Sequence, residues 1–175
     1  SLTSAPYLLT ELEKLSDNKD YLILVKFHDL MSPDVAENYR ARAQKIPNLI
    51  VEDEPNIIKF LLMADLMISD TSSVVYEFLL LNKPVITYKN NSNNIRWEDS
   101  LSYDDLALKV QENLKHDLFE PQRKKIIAEY HPYNDGLSSL RMVEAVEDYI
   151  EKHKVPEKRK LPFLRQLKMK KMFKK

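Results

Sequence analysis

Two apolar runs and the helix-spaced stretch between them, residues 65–88, commit this chain to a parallel βαβ unit. Leu66 to Ser69 reads as a short buried strand, Asp70 to Ser73 as a hydroxyl-rich turn, Val74 to Leu81 as an apolar helix and Val85 to Tyr88 as a second buried strand. Strands that are apolar throughout are covered on both faces, so the sheet needs helices above and below it. The helix opens with unpaired backbone N–H groups beside Thr71, Ser72 and Ser73, a setting that suits an anion such as phosphate.

The rest of the chain continues this alternation. Leu8 to Leu15 has helical spacing, Tyr21 to Val25 is a buried strand running into Lys26-Phe27-His28, and Ser32-Pro33-Asp34 opens a helix to about Lys45. Asn48 to Val51 is a second strand and Asn56 to Met63 a short helix. Together these predict an α/β fold with a doubly wound parallel sheet. After Tyr88 come a polar loop (Lys89 to Asn94) and helices near Tyr103 to Leu114 and Glu120 to Glu129. The turn Tyr133-Asn134-Asp135-Gly136 then leads into a long amphipathic helix from Ser138.

A single glycine in 175 residues excludes the glycine-rich phosphate loops. Any nucleotide must be held by hydroxyls and helix starts instead. There is no cysteine, hence no disulfide or thiolate metal site, and a reducing cytoplasm is a compatible setting. The longest apolar runs fall well short of the roughly 20 residues of a membrane span, and the first residues lack the pattern of a signal peptide. Charge is unevenly spread: Lys152 to Lys175 holds eleven Lys and Arg against Glu157 alone, which leaves an acidic body of equal and opposite charge. Residues 1–151 are therefore expected as one domain and 152–175 as a basic tail. Leu161, Phe163, Leu164, Leu167, Met169, Met172 and Phe173 are interleaved with its cations.

Four groups of residues are candidates for chemistry. Thr71, Ser72 and Ser73 lie where open α/β sheets bind ligands, at the carboxyl end of a strand, and offer more hydroxyls than one helix cap needs. Ordinary capping of the first-turn N–H groups by Asp70, Thr71 and the serines is the plain alternative. Glu77, on the same helix, is either an exposed residue or a carboxylate for ribose hydroxyls. Lys26 and His28 close the first strand, where an imidazole can donate to phosphate or carry a proton. Gly136, Ser138, Ser139 and Arg141 form either a glycine turn with a capping serine or a second anion site. No acidic cluster shaped for magnesium stands out, so neither metal nor cofactor is expected.

Lys26-Phe27-His28, Asp65 to Tyr88 and Asp135-Gly136-Leu137-Ser138-Ser139-Leu140-Arg141 resemble, in order and approximate spacing, the motifs of CDP-glycerol glycerophosphotransferases, the teichoic-acid polymerases and primases. The resemblance covers about residues 1–151. It implies a Rossmann-like, carboxyl-terminal half of a glycosyltransferase-B architecture that binds the donor nucleotide. It further implies that His28 contacts the donor near the transferred phosphate, that Thr71, Ser72 and Ser73 hold the pyrophosphate with Ser138 and Ser139 beside it, and that Glu77 binds ribose. Family members usually have proline after the histidine, where this chain has Asp29.

The expected partners are thus CDP-glycerol or a related nucleotide-activated donor, a polymer acceptor, and an anionic membrane surface reached through the tail. The place of action is then the inner face of the cell membrane. Nucleic acid is not expected, because the acidic body is repelled by a duplex and the Phe and Leu content of the tail suits lipid. A nucleotide-sugar glycosyltransferase of the same fold and a non-catalytic α/β scaffold with a membrane-binding tail remain open alternatives.

Overall fold

A computed structural model describes residues 3–91, 95–154 and 162–172. These divide into two compact units, Ser1–Pro132 and Tyr133–Lys175. In the first, the order is α1 (Ala5–Leu15), β1 (Ile23–Lys26), α2 (Pro33–Ala43), β2 (Leu49–Glu52), α3 (Ile58–Met63), β3 (Met67–Ser69), α4 (Val74–Leu79), β4 (Val85–Tyr88), β5 (Glu98–Ser100), α5 (Leu106–Lys115) and α6 (Glu120–Tyr130). The second contains α7 (Ser138–His153) and α8 (Phe163–Met172).

Every strand pairing is parallel. β1 pairs with β2, from Ile23 opposite Leu49 to Lys26 opposite Glu52. β4 lies between β3 and β5 in a three-stranded sheet, with Ile86 opposite Ile68 on one side and Glu98 on the other. All four residues of β4 are buried, and alternate side chains enter different cores. Ile86 and Tyr88 join Leu8, Leu9, Leu12 and Leu15 of α1, Ile23, Tyr39, Leu49, Leu106 and Val110. Val85 joins Leu61, Val75, Phe78, Leu79, Trp97 and Ile126. Helices α1, α2 and α5 therefore share one core and α3, α4 and α6 the other, on opposite sides of β4, while β1 and β2 pair as a separate two-stranded sheet facing the first core.

The βαβ unit forms as its apolar spacing dictates, with Val75, Phe78 and Leu79 on the buried side of α4. Yet α4 stops at Leu79. Asn82 takes a left-handed φ of 56°, and Pro84 follows shortly after, so the chain cannot continue as helix. Lys83 then donates to the carbonyls of Leu62, near the end of α3, and of Ala64 just beyond it, at 2.7 Å each.

Some expected bounds shift. α1 begins earlier, at Ala5 with proline in its first turn, and β1 begins at Ile23. β5 is absent from the sequence reading because its three residues, Glu98, Asp99 and Ser100, have no apolar pattern. What fixes it is a polar ladder: Trp97 Nε1 donates to Thr87 Oγ1 at 3.0 Å, and Thr87 Oγ1 donates to Asp99 at 2.6 Å.

Arg123 of α6 is 1% exposed. Its guanidinium grips both carboxylate oxygens of Asp117, and its Nε donates to Asn82 Oδ1 at 3.1 Å. The Asn82 turn after α4 and the start of α6 are thereby tied together.

In the second unit α7 and α8 bury no residue. On α8, Phe163, Leu164 and Leu167 fall within one third of the helix circumference, but Lys171 lies between Leu164 and Leu167 and both methionines lie elsewhere. The apolar and basic residues are thus less cleanly sided than the tail sequence suggests. Leu161 and Phe173 lie outside the described residues.

Candidate functional site

β1 delivers two of the expected residues. Lys26 is its last residue and is half-buried. Phe27 packs edge-on against Tyr39, ring centres 5.1 Å apart, so His28 leaves the core abruptly and is exposed. The backbone N–H of Leu30 donates to His28 Nδ1 at 3.1 Å, and that of Met31 to the His28 carbonyl at 2.8 Å. Since Nδ1 accepts, the neutral imidazole carries its proton on Nε2.

β3 delivers the turn. Thr71, Ser72 and Ser73 are all exposed. Thr71 is already engaged, its Oγ1 accepting the N–H of Asn91 at 3.0 Å and lying 3.5 Å from Asn90 Oδ1. Ser72 Oγ makes only a long contact, 3.4 Å, with the N–H of Val74. The Ser73 carbonyl accepts the N–H of Tyr76 at 3.0 Å, while its hydroxyl has no hydrogen-bond partner among the described residues. Asp70, one of the capping residues of the plain alternative, does not cap α4. Its carboxylate accepts from Thr3 Oγ1 and the N–H of Ser4, at 3.0 Å each, just ahead of α1. Of the three turn hydroxyls, those of Ser72 and Ser73 are the least engaged.

Tyr39 connects the end of β1 with the start of α1, which Asp70 of the β3 turn also holds. Its ring meets Phe27, and its hydroxyl donates to the carbonyl of Ala5 at 2.6 Å, one residue from the Ser4 that Asp70 holds. Burial, and to a lesser extent the charge of Asp70, push the Tyr39 hydroxyl far above the ordinary phenol range. Tyr39 therefore stays a neutral donor. Glu77 is exposed on α4.

The remaining candidates lie in the second unit. Gly136 has φ +73°, as a turn glycine should. The expected capping serine is corrected: Asp135 Oδ1, at 3.0 Å, takes the N–H of Leu137, and α7 has no side-chain cap of its own. Arg141 grips both oxygens of Asp135 and stacks over the Tyr133 ring at 4.0 Å. That contact holds the Asp135 carboxyl below its usual range and raises the guanidinium. Arg141 is thus occupied, whereas Ser138 and Ser139 are exposed at the helix start.

The sequence reading missed the residues that brace the turn. Asn90 Nδ2 donates to the Asp70 carbonyl at 3.4 Å, and the N–H of Asn90 donates to Asp99 at 3.2 Å. The only signal for them was the asparagine-rich loop. Among the described residues, no three His, Asp or Glu side chains gather as a metal ligand set.

Changing Ser72 and Ser73 together to alanine is expected to lower stability by less than a full helix cap, about 0.5–2 kcal/mol, because the Ser72 contact is long. Affinity for a diphosphate should fall roughly tenfold or more, as two donors to a charged group disappear. Calorimetry and thermal melts on the same protein separate the two. A large stability loss with unchanged affinity would make the serines structural.

A parallel α/β layer covered on both faces, with polar turns beyond its strand ends, is the fold class of glycosyltransferase-B enzymes. Two solved structures share it: a glycosyltransferase from Rickettsia africae (TM-score 0.57, 18% identity, covering 86% of this chain and 45% of that one) and a Listeria monocytogenes protein assigned as a UDP-N-acetylglucosamine 2-epimerase (TM-score 0.56, 16% identity, covering 88% and 43%). Residues 4–148 match the family described as CDP-glycerol:poly(glycerophosphate) glycerophosphotransferase, and the chain belongs to that family. The teichoic acid glycerol-phosphate primase of Bacillus subtilis is 25% identical over 144 residues, 75% of this chain and 36% of the relative. The chain thus spans about a third of that relative's length.

Proposed function

We propose that this chain is the donor-binding domain of a transferase that moves glycerol phosphate, or a related polyol phosphate, from a CDP carrier to a cell-surface polymer. Family membership supports the reaction class. The observation that carries the donor site is that His28, with its Nε2 proton outward, and the hydroxyls of Ser72 and Ser73 all lie just beyond strand ends that Tyr39 and Asp70 tie to the start of α1. An acceptor hydroxyl attacks the β-phosphorus of the donor, the bond from that phosphorus to the bridging oxygen breaks, and CMP leaves. The acceptor proton goes to a base from a further, amino-terminal half, so the isolated domain binds but barely catalyses. His28 and the turn hydroxyls offset charge on the phosphoryl oxygens. Glu77 takes the ribose hydroxyls and Lys26 adds positive charge. In the second unit, taken by itself, Gly136, Ser138 and Ser139 form a helix start open to an anion. Arg141 orders that start through Asp135.

Calorimetry with CDP, UDP and ADP, without added divalent metal, tests the reading. Weak binding with CDP preferred is expected. A preference for ADP, or no heat with any of the three, would remove the cytidine assignment.

The same proposal gives the tail a role at an anionic membrane surface, on the inner face of the cell membrane. Among the described residues no helix is long and apolar enough to cross a membrane. α8 carries Arg165, Lys168, Lys170 and Lys171 with no acidic residue, and Phe163, Leu164 and Leu167 are exposed. Each cation near an anionic bilayer contributes about 1 kcal/mol. Vesicle sedimentation is expected to show salt-sensitive binding to anionic but not neutral vesicles, lost on truncation after Glu151. Equal sedimentation with and without the tail would refute it.

A further inference from the structure

Asp70 stands directly before the three hydroxyls of the turn, where a free carboxylate would repel a phosphate. Its charge is directed elsewhere. Oδ2 accepts from Thr3 Oγ1 and from the N–H of Ser4, the positive end of the 11-residue α1. The Thr3 hydroxyl in turn accepts the N–H of Ala5 at 3.2 Å, and Tyr103 donates its hydroxyl to Ser4 Oγ at the same distance. The second oxygen, Oδ1, is enclosed and has no hydrogen-bond partner among the described residues. From the opposite side Asn90 donates to the Asp70 carbonyl, and Thr71 accepts from Asn91. The turn is gripped by α1 through the Asp70 side chain and by the loop after β4 through the backbone.

We propose that Asp70 is a positioning residue of the donor site: it fixes Thr71, Ser72 and Ser73 by clamping their turn to the start of α1, and it does not touch the ligand. This rests on the donor-binding reading above. The geometry separates acceptor from charge. Asparagine at this position keeps one oxygen for Thr3 and Ser4 and loses the charge, whereas alanine loses both. A turn released from α1 samples the binding-competent arrangement only part of the time, and apparent affinity falls by that fraction.

The test uses the full chain, CDP as probe, and amide exchange of residues 71–75 in the free protein. For D70A we expect CDP affinity to fall about tenfold with faster exchange at 71–75, and for D70N both to stay within about threefold of the parent. Unchanged affinity in D70A overturns the proposal, as does equal loss in D70A and D70N, which would mean that the charge itself is needed. Should D70A not fold, T3V removes one of the two donors to the same oxygen. Faster exchange at 71–75 in T3V then supports the clamp, and unchanged exchange overturns it. If the parent chain binds no CDP, the donor-binding reading fails, while the exchange data still decide whether Asp70 holds the turn.

Discussion

Replacing His28 with alanine lowers phosphoryl transfer by about 10²–10³-fold, the usual cost of losing one preorganised donor to developing charge. The assay joins this domain with the acceptor-binding half proposed above and follows release of CMP from CDP-glycerol. The fold survives, because His28 is exposed and buries little apolar area. Two further variants separate its nitrogens. His28→Gln retains a donor near the Nε2 position and should keep part of the activity. His28→Asn retains only an acceptor near Nδ1 for the Leu30 N–H and should behave like alanine. Full transfer by the alanine variant would move the chemistry elsewhere.

Asp117→Ala, far from any proposed ligand, destabilises the domain by about 3–5 kcal/mol, because it strands the buried Arg123 guanidinium with Asn82 as its remaining partner. Arg123→Met is milder, since it leaves no buried charge and Asp117 is partly open to water. Urea denaturation measures both. Equal losses, or a larger loss for the methionine variant, would show that the guanidinium is solvated in solution.

These two residues also mark how far the sequence could be read. Residues 65–88 were legible as βαβ because local apolar spacing and tertiary burial agree: Val75, Phe78 and Leu79 face one core, and β4 is buried along its whole length. His28 and Thr71 to Ser73 were legible as strand-end residues for the same reason. β5 was not, since Glu98, Asp99 and Ser100 are held by Trp97 and Thr87 and carry no pattern of their own. The role of Asp70 was not legible because its partners lie 66 and 67 positions away, next to a helix start no local rule connects to it. Arg123 was invisible for a related reason: its i−6 partner Asp117 and distant Asn82 turn a surface-type residue into part of the core.

On the proposed function, a cytidine diphosphate sits beyond the ends of β1 and β3. Amide exchange with and without saturating CDP tests it most directly, because it reports location as well as binding. The account predicts protection at residues 27–30 and 71–75, with little change along β2 or in α5. Binding that protects some other surface and leaves both segments unchanged would contradict it.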